Sequence, residues 1–122
     1  MKDDYAIDLY LGNTFSFIGV YRNGGIEIVP NSIGDKITPS VVLIKDDRLI
    51  VAGEYASEHL EQYPDICISQ VKRLIGINKD APDCKYILKN FPFKLVEGKG
   101  NYCPNNNIEV NVKKEKKYFF PC

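Results

Sequence analysis

The chain has 122 residues, of which 44% are hydrophobic and 26% are charged, a composition typical of a folded domain and not of a disordered segment. Sixteen basic residues balance sixteen acidic ones, so no net charge favours a nucleic acid or an anionic membrane as a partner. No segment reaches the roughly 18 apolar residues that a membrane helix needs, and the acidic start does not match a secretory signal. We therefore predict a cytoplasmic protein with no nucleic-acid and no membrane partner.

The cysteines and the single histidine exclude one class of metal site. No C-x-x-C pair occurs among the four cysteines, which are Cys67, Cys84, Cys103 and Cys122. The chain has one histidine, His59, so a zinc site of the usual spacing cannot be assembled. Two disulfides would be possible in a secreted protein, but the missing signal favours reduced thiols.

The first thirty residues predict an antiparallel meander. We predict strands at residues 5–11, 15–21 and 26–29. Their side chains alternate in polarity or are rich in aromatic and branched types, both of which favour a strand. Gly12-Asn13-Thr14 and Asn23-Gly24-Gly25 separate these segments with residues that adopt tight turns. Residues 30–35 then break the pattern.

A small unit of mixed strands and helices is predicted after residue 39. We predict strands at 41–45, 49–51, 93–96, 108–112 and 118–120, and helices at 53–62, 68–75 and 82–89. The predicted core consists of Val41, Val42, Leu49, Leu60, Ile68, Leu74, Phe93, Leu95 and Ile108. By contrast, we expect Ile7, Leu9, Leu11, Phe17 and Ile18 of the meander to lack partners, because no helix follows to cover its sheet. The chain stops directly after a strand, which we interpret as truncation.

The first turn is the candidate phosphate site. A strand, a turn with Gly12 and hydroxyl residues, and a returning strand present consecutive backbone N–H groups, which suits an anion. Gly12 permits close approach of the backbone, and Thr14 and Ser16 add hydroxyl groups. An ordinary hairpin turn is the alternative interpretation of the same residues.

Five further blocks carry a family resemblance together with this turn. Leu11-Gly12-Asn13-Thr14-Phe15-Ser16, with Gly19-Val20, resembles the first phosphate loop of the 70-kilodalton heat-shock chaperones. The blocks that resemble this family in order and spacing are Ile26-Glu27-Ile28-Val29-Pro30-Asn31, Ile37-Thr38-Pro39-Ser40-Val41-Val42, Gly53-Glu54, Val71-Lys72-Arg73-Leu74-Ile75-Gly76 and Phe91-Pro92-Phe93-Lys94-Leu95-Val96. Together they cover nearly the whole chain.

The resemblance implies an α+β fold, the front part of an actin-like (ribonuclease H-like) ATPase domain. Residues 1–38 would be the first meander of the large lobe, 39–115 the small upper lobe, and 116–122 a truncated return to the large lobe. It also implies that Gly12, Asn13, Thr14 and Phe15 bind the nucleotide phosphates, and that Lys72 reaches the γ-phosphate and the attacking water. A solvated helix lysine is the alternative interpretation of Lys72.

One position departs from the family pattern. The family has an aspartate two residues before the glycine, where it supports magnesium through bound water, and Tyr10 stands there in this chain. A neutral phenol does not replace a carboxylate as a ligand of a hard cation. Asp8 lies two residues earlier on the same face of the strand, roughly 7 Å away, and becomes the metal candidate if Tyr10-Leu11 is an insertion.

Three functions remain open. The first is an N-terminal fragment of an ATP-dependent chaperone that does not hydrolyse ATP alone; ATP or ADP with Mg²⁺ would be the cofactor, and clients and co-chaperones the partners, only of a full-length form. The second is a short natural paralogue that acts as a non-catalytic interaction module, with self-association through the uncovered meander. The third is a sugar-kinase or actin relative, against which Lys72-Arg73-Leu74-Ile75-Gly76 argues.

Overall fold

The computed structural model describes residues 5–46, 50–76, 82, 84–96, 107–112 and 115–119. Within these residues the chain forms ten strands, two short α-helices and one 3-10 helix. In chain order they are β1 Ala6–Leu11, β2 Phe15–Arg22, β3 Gly25–Val29, β4 Thr38–Pro39, β5 Val41–Ile44, β6 Ile50–Ala52, α1 Glu54–Glu58, β7 Cys67–Ser69, the 3-10 helix Val71–Leu74, α2 Cys84–Lys89, β8 Lys94–Val96, β9 Asn107–Val112 and β10 Glu115–Phe119.

The predicted meander is present as an antiparallel sheet in the order β1-β2-β3. The β2–β3 connection is tight because Asn23 and Gly24 both have positive φ, 53° and 78°, which a two-residue hairpin turn requires. β4 pairs with the start of β2, with Phe15 opposite Pro39 and Ser16 opposite Thr38. The short β4 therefore ties the segment after the meander back to the first turn.

A second sheet, in the order β6-β5-β7, begins one residue after β4. α1 covers it, and one hydrophobic cluster fills the space between them: Val41, Leu43, Ala56 and Cys67. Gly53 precedes α1 with a φ of 86°, a conformation that favours glycine, and its N–H donates to the Val41 carbonyl at 3.0 Å. The start of the helix is thus fixed against the central strand.

A third sheet, in the order β8-β9-β10, builds the other half of the core. A second cluster joins it to β5 and the 3-10 helix: Ile44, Leu74, Phe93 and Ile108. On β9 the Glu109 carboxylate is almost completely buried, and it accepts from Lys94 Nζ at 3.1 Å and lies 3.7 Å from Lys116 Nζ. These ion pairs offset the cost of burying the charge.

The helix predicted at 68–75 is wrong for its first half. Cys67–Ser69 is instead the edge strand β7, and only Val71–Leu74 forms a 3-10 helix. The backbone of β7 pairs with β5, and Gln70, with a φ of 52°, separates strand from helix. Pairing with the central strand overrides the local helical pattern. The helix predicted at 53–62 is also shorter, because α1 ends at Glu58 and hydrogen-bonded turns continue to Gln62.

The predicted core is largely confirmed. Val41, Leu74, Phe93 and Ile108 are buried, while Val42, Leu60, Ile68 and Leu95 pack against the two clusters. Leu49 lies outside the described residues. The buried residues that the sequence did not indicate are Leu43, Ile44, Ala56 and Cys67.

The meander is exposed, as expected. Ile7, Leu9 and Leu11 keep 74%, 66% and 56% of their surface accessible, Ile18 is also exposed, and Phe17 is half-buried. Among the described residues, no side chain of β1, β2 or β3 belongs to either hydrophobic cluster.

Candidate functional site

The turn between β1 and β2, residues 12–15, is closed by a hydrogen bond from Gly12 N–H to the Phe15 carbonyl at 3.0 Å. Gly12 is buried. A Cβ placed there would collide with the Phe15 carbonyl oxygen and would lie 2.7 Å from Cε1 of the Tyr10 ring. The glycine is therefore required by the close approach of backbone and ring.

Three carbonyl groups at this turn are already hydrogen-bonded. Lys72 Nζ donates to the Leu11 carbonyl, and the Ser40 N–H donates to the Thr14 carbonyl at 2.8 Å. With Gly12 bonded to Phe15, three of the loop's carbonyl oxygens have a donor. A carbonyl oxygen that accepts a hydrogen bond contributes less negative potential at the turn, so an anion is repelled less.

Of the amide groups in the same turn, that of Gly12 is bonded to Phe15, and the next two are free among the described residues. Within the described part of the chain, neither the Asn13 nor the Thr14 N–H donates to a backbone carbonyl, and both residues are exposed. Free neighbouring N–H groups with bonded carbonyls form an arrangement that suits a phosphate oxygen, and the Thr14 hydroxyl is a further donor. Phe15 borders the turn with about half of its surface exposed, 51%.

Lys72 reaches this turn from a distant part of the sequence. It is the second residue of the 3-10 helix, and its contact with Leu11 joins residues 61 positions apart. The side chain is exposed, so the ammonium group stays accessible to an anionic ligand at the turn. The structure thus brings together Lys72 and the residues Gly12–Phe15 that the sequence singled out.

Asp8 and Tyr10 lie on the same face of β1, but they do not form a magnesium site. The Tyr10 ring stacks on Phe17 with 4.7 Å between ring centroids, and Asp8 is exposed opposite Gly19, further from the turn. Across the described ranges, no three His, Cys, Asp or Glu side chains come together as metal ligands. A hard cation needs several oxygen ligands, and these residues offer one carboxylate.

Sequence reasoning assigned a hydroxyl at the turn to Ser16 but no role to Ser40, which contacts it. Ser40 Oγ lies 2.8 Å from Ser16 Oγ, and both side chains are half-buried. The signal was present, because Ser40 belongs to the Ile37-Thr38-Pro39-Ser40 block, but a hydrogen bond between residues 24 positions apart is visible only in the fold.

Comparison with known proteins shows which family the chain resembles. The family model described as Hsp70 protein matches residues 6–121. The chain belongs to the Hsp70 family. It is 34% identical over 116 residues to "Heat shock 70 kDa protein 2" of Paracoccidioides lutzii, and 34% identical over 116 residues to "Heat shock 70 kDa protein" of Trichophyton rubrum. Each alignment covers 95% of this chain and 17% of the relative, so the chain spans about a sixth of the length of these Hsp70 proteins.

Family membership confirms the predicted fold class, the α+β front part of an actin-like Hsp70 nucleotide-binding domain, and the mostly antiparallel strands agree with it. In the part of the chain that the structure describes, no helix is long and apolar enough to span a membrane. Cys67 is a free thiol; Cys103 and Cys122 lie outside the described residues.

Proposed function

We propose that this chain supplies the first phosphate-binding loop of an ATP-dependent Hsp70 chaperone. Gly12, Asn13, Thr14 and Phe15 would receive the nucleotide phosphates, and Lys72 would neutralise their charge. The contact between Lys72 and the Leu11 carbonyl supports this proposal most directly, because it holds an ammonium group beside the turn with the free amides.

The chemistry of each residue follows from its position. The Asn13 and Thr14 amides donate to a phosphate oxygen, and Gly12 lets the backbone approach it. Lys72 stabilises negative charge that develops during phosphoryl transfer, provided that it leaves the Leu11 carbonyl for the ligand. The described residues do not fit a magnesium ion, so no step is assigned to a metal. ATP itself would supply the phosphoryl group.

Phosphate binding by the loop can be tested by NMR. The backbone amides are followed while ATP is added, and in a separate titration while adenosine is added. ATP should shift Asn13 and Thr14, and adenosine should not, because the contacts are to phosphate. Lys72→Met should weaken the ATP effect by up to about fivefold, the factor for a solvent-exposed charge pair of about 1 kcal/mol. Lys45→Met, at an exposed lysine directly after β5, is the matched control and should leave it unchanged. Equal shifts with ATP and adenosine would contradict the proposal.

The affinity should be low. The chain spans about a sixth of the length of these Hsp70 relatives, and an interface that lacks most of its contacts binds weakly. We expect a dissociation constant above about 1 mM for Mg-ATP, near −4 kcal/mol, and no turnover by this chain alone. Micromolar binding in a calorimeter would show that these residues hold nucleotide by themselves.

The remaining assignments belong to the same proposal. We assign residues 1–38 to the large lobe, 39–115 to the small lobe and 116–122 to the return, and we place the protein in the cytoplasm. Unfolded polypeptides as clients, and co-chaperones, would be partners of a full-length form. Asp8 stays the metal candidate only under the alternative alignment, in which Tyr10-Leu11 is an insertion. If an extended chain binds Mg-ATP, the gapless alignment predicts that Tyr10→Asp strengthens its magnesium dependence and that Asp8→Asn changes little. Loss of magnesium dependence in Asp8→Asn would instead support the alternative alignment.

An interaction module is the second candidate, and the exposed meander favours it. In the described sheet β1 pairs only with β2, so its other edge is available, and Ile7, Leu9 and Leu11 line an open face. Such an edge pairs readily with another strand, including one from a second copy.

Sedimentation of the chain should then show self-association, and Leu9→Lys should abolish this association. Ile75→Lys, at an exposed apolar residue of the small lobe, is the control.

A further inference from the structure

The chain passes from the first sheet to the second through a single residue. β4 ends at Pro39 in the sheet of the meander, and β5 begins at Val41 as the central strand of the second sheet. Ser40 is the residue between them. Ser40 is therefore the direct backbone connection between the two sheets.

Ser40 holds the phosphate-binding turn with both its backbone and its side chain. Its N–H donates to the Thr14 carbonyl at 2.8 Å, and its Oγ lies 2.8 Å from Ser16 Oγ. Residues 14 and 16 flank Phe15, which pairs with Pro39. The far end of the turn is therefore fixed at two points by the residue that begins the second sheet.

The near end of the turn is held from the same part of the molecule. Lys72 follows β7, which is the neighbour of β5, and its ammonium group contacts the Leu11 carbonyl. Both ends of the turn, at Leu11 and at Thr14, thus accept hydrogen bonds from residues attached to the second sheet.

We propose that Ser40 is a positioning residue that couples the phosphate-binding turn to the second sheet. Its N–H engages the Thr14 carbonyl and its hydroxyl holds Ser16, and together they keep the turn in the form that leaves the Asn13 and Thr14 amides available to the anion. The part of the proposal that concerns phosphate rests on the proposed function; the coupling of turn and sheet does not. Because coupling is reciprocal, a bound phosphate should in turn protect the Ser40 amide from exchange.

The test uses the full chain with four variants. Ser40→Ala and Ser16→Ala each remove the hydroxyl pair, the double variant removes both hydroxyls, and Ser40→Thr restores a hydroxyl. Ser69→Ala, at a half-buried serine on β7, is the matched control. Two amides report on the turn by NMR hydrogen exchange: Gly12, which is bonded to Phe15, and Ser40, which is bonded to Thr14.

Each single alanine variant should speed exchange at Gly12 and Ser40 about fivefold, the factor for one hydrogen bond. The double variant should add little, because both changes remove the same bond. Ser40→Thr should return the rates to within about twofold of the original. The alanine variants should also weaken the ATP-induced shifts at Asn13 and Thr14 about fivefold, and the melting temperature should fall by no more than the loss of one hydrogen bond explains.

The outcomes separate the two proposals. A larger fall in melting temperature, with ATP-induced shifts that stay unchanged in the folded protein, would mean that Ser40 only stabilises the fold, and would overturn this proposal. A loosened turn with unchanged ATP shifts would overturn the positioning role. If ATP gives no shifts in the unaltered chain, the proposed function fails, and exchange at Gly12 and Ser40 alone decides the coupling.

Discussion

Gly12 is the residue at which the turn tolerates least change. Alanine there would bring a Cβ against the Phe15 carbonyl, which is fixed backbone, and against the Tyr10 ring. We expect Gly12→Ala to lower the free energy of unfolding by about 1–3 kcal/mol, the usual cost of overpacking. Gly25→Ala is the control, because a Cβ at Gly25 meets nothing within 4 Å. Urea unfolding measures both, and an equal loss in the two variants would contradict the steric explanation.

The buried thiol of Cys67 makes stability depend on alkaline pH. Burial, and after it the Asp65 carboxylate, raises the pKa of Cys67 above the ordinary thiol value of 9.0. The folded protein therefore keeps the thiol proton at pH values where the unfolded chain has released it. The contribution of the protonated Cys67 thiol to stability is fully present below pH 9.0. It is lost as the pH rises through the pKa of Cys67 in the folded protein.

Urea unfolding of the original chain and of Cys67→Ala, at about pH 8 and about pH 10, tests this dependence. The original chain should lose more stability across this interval than the variant, which has no thiol at this position. The variant should start lower because of the cavity it creates. Parallel losses in the two proteins would show that other groups cause the alkaline dependence.

At the scale of an element, the break between β7 and the 3-10 helix depends on Gln70. Its φ of 52° is in the left-handed region, which costs a residue with a side chain about 1–2 kcal/mol, whereas glycine adopts it freely at a cost in chain entropy. We expect Gln70→Gly to stabilise the protein by about 0.5–1 kcal/mol in thermal unfolding. Asn23→Gly, at the other left-handed side chain, should change less because asparagine tolerates this conformation. A destabilised Gln70→Gly would show that the glutamine side chain stabilises the break.

Two lysines flank Glu109 of β9, Lys94 on β8 and Lys116 on β10, and they should contribute unequally to the free energy of unfolding. Lys94 lies directly opposite Glu109 in the register and approaches to 3.1 Å, whereas Lys116 is 3.7 Å away. Lys94→Met should cost about 1 kcal/mol and Lys116→Met less, since the remaining lysine still compensates the buried carboxylate. Urea unfolding at low and high salt measures both, and a larger loss in Lys116→Met would contradict this ranking.

The elements that the sequence predicted well are those whose structure is decided locally. The meander could be predicted from its alternating side chains and from the turn at Asn23 and Gly24. Both the two-residue period of a strand and the type of a hairpin turn are properties of neighbouring positions. β7 was predicted as helix because its strand pairing depends on β5, more than twenty residues earlier. The same distinction holds at the candidate site. Gly12 was visible in the sequence, but the contact of Ser40 with Ser16 arises only when β4 pairs with β2.

At the scale of the whole molecule, both hydrophobic clusters are built after residue 40. They consist of buried residues between Val41 and Ile108, and none of the described side chains of β1–β3 takes part. Each apolar side chain left in water forgoes roughly 1.5–3 kcal/mol of burial. We therefore expect slower hydrogen exchange in β5, β7 and β9 than in β1–β3 of a dilute monomer. Stronger protection of β1–β3 would mean that the residues after 40 are not the folding unit.

The single-residue passage at Ser40 also restricts how the length of this chain can change. One added residue between β4 and β5 would turn the side chains on one side of it to the opposite face of their sheet, because strands alternate with a period of two. Either Val41 and Leu43 would leave the core, or the pairing of Thr38 with Ser16 would be lost. The turn at Asn23 and Gly24 carries no such constraint, since a Cβ at Gly24 meets nothing within 4 Å. Insertions that accumulate over generations should therefore be found in the β2–β3 turn and not at Ser40.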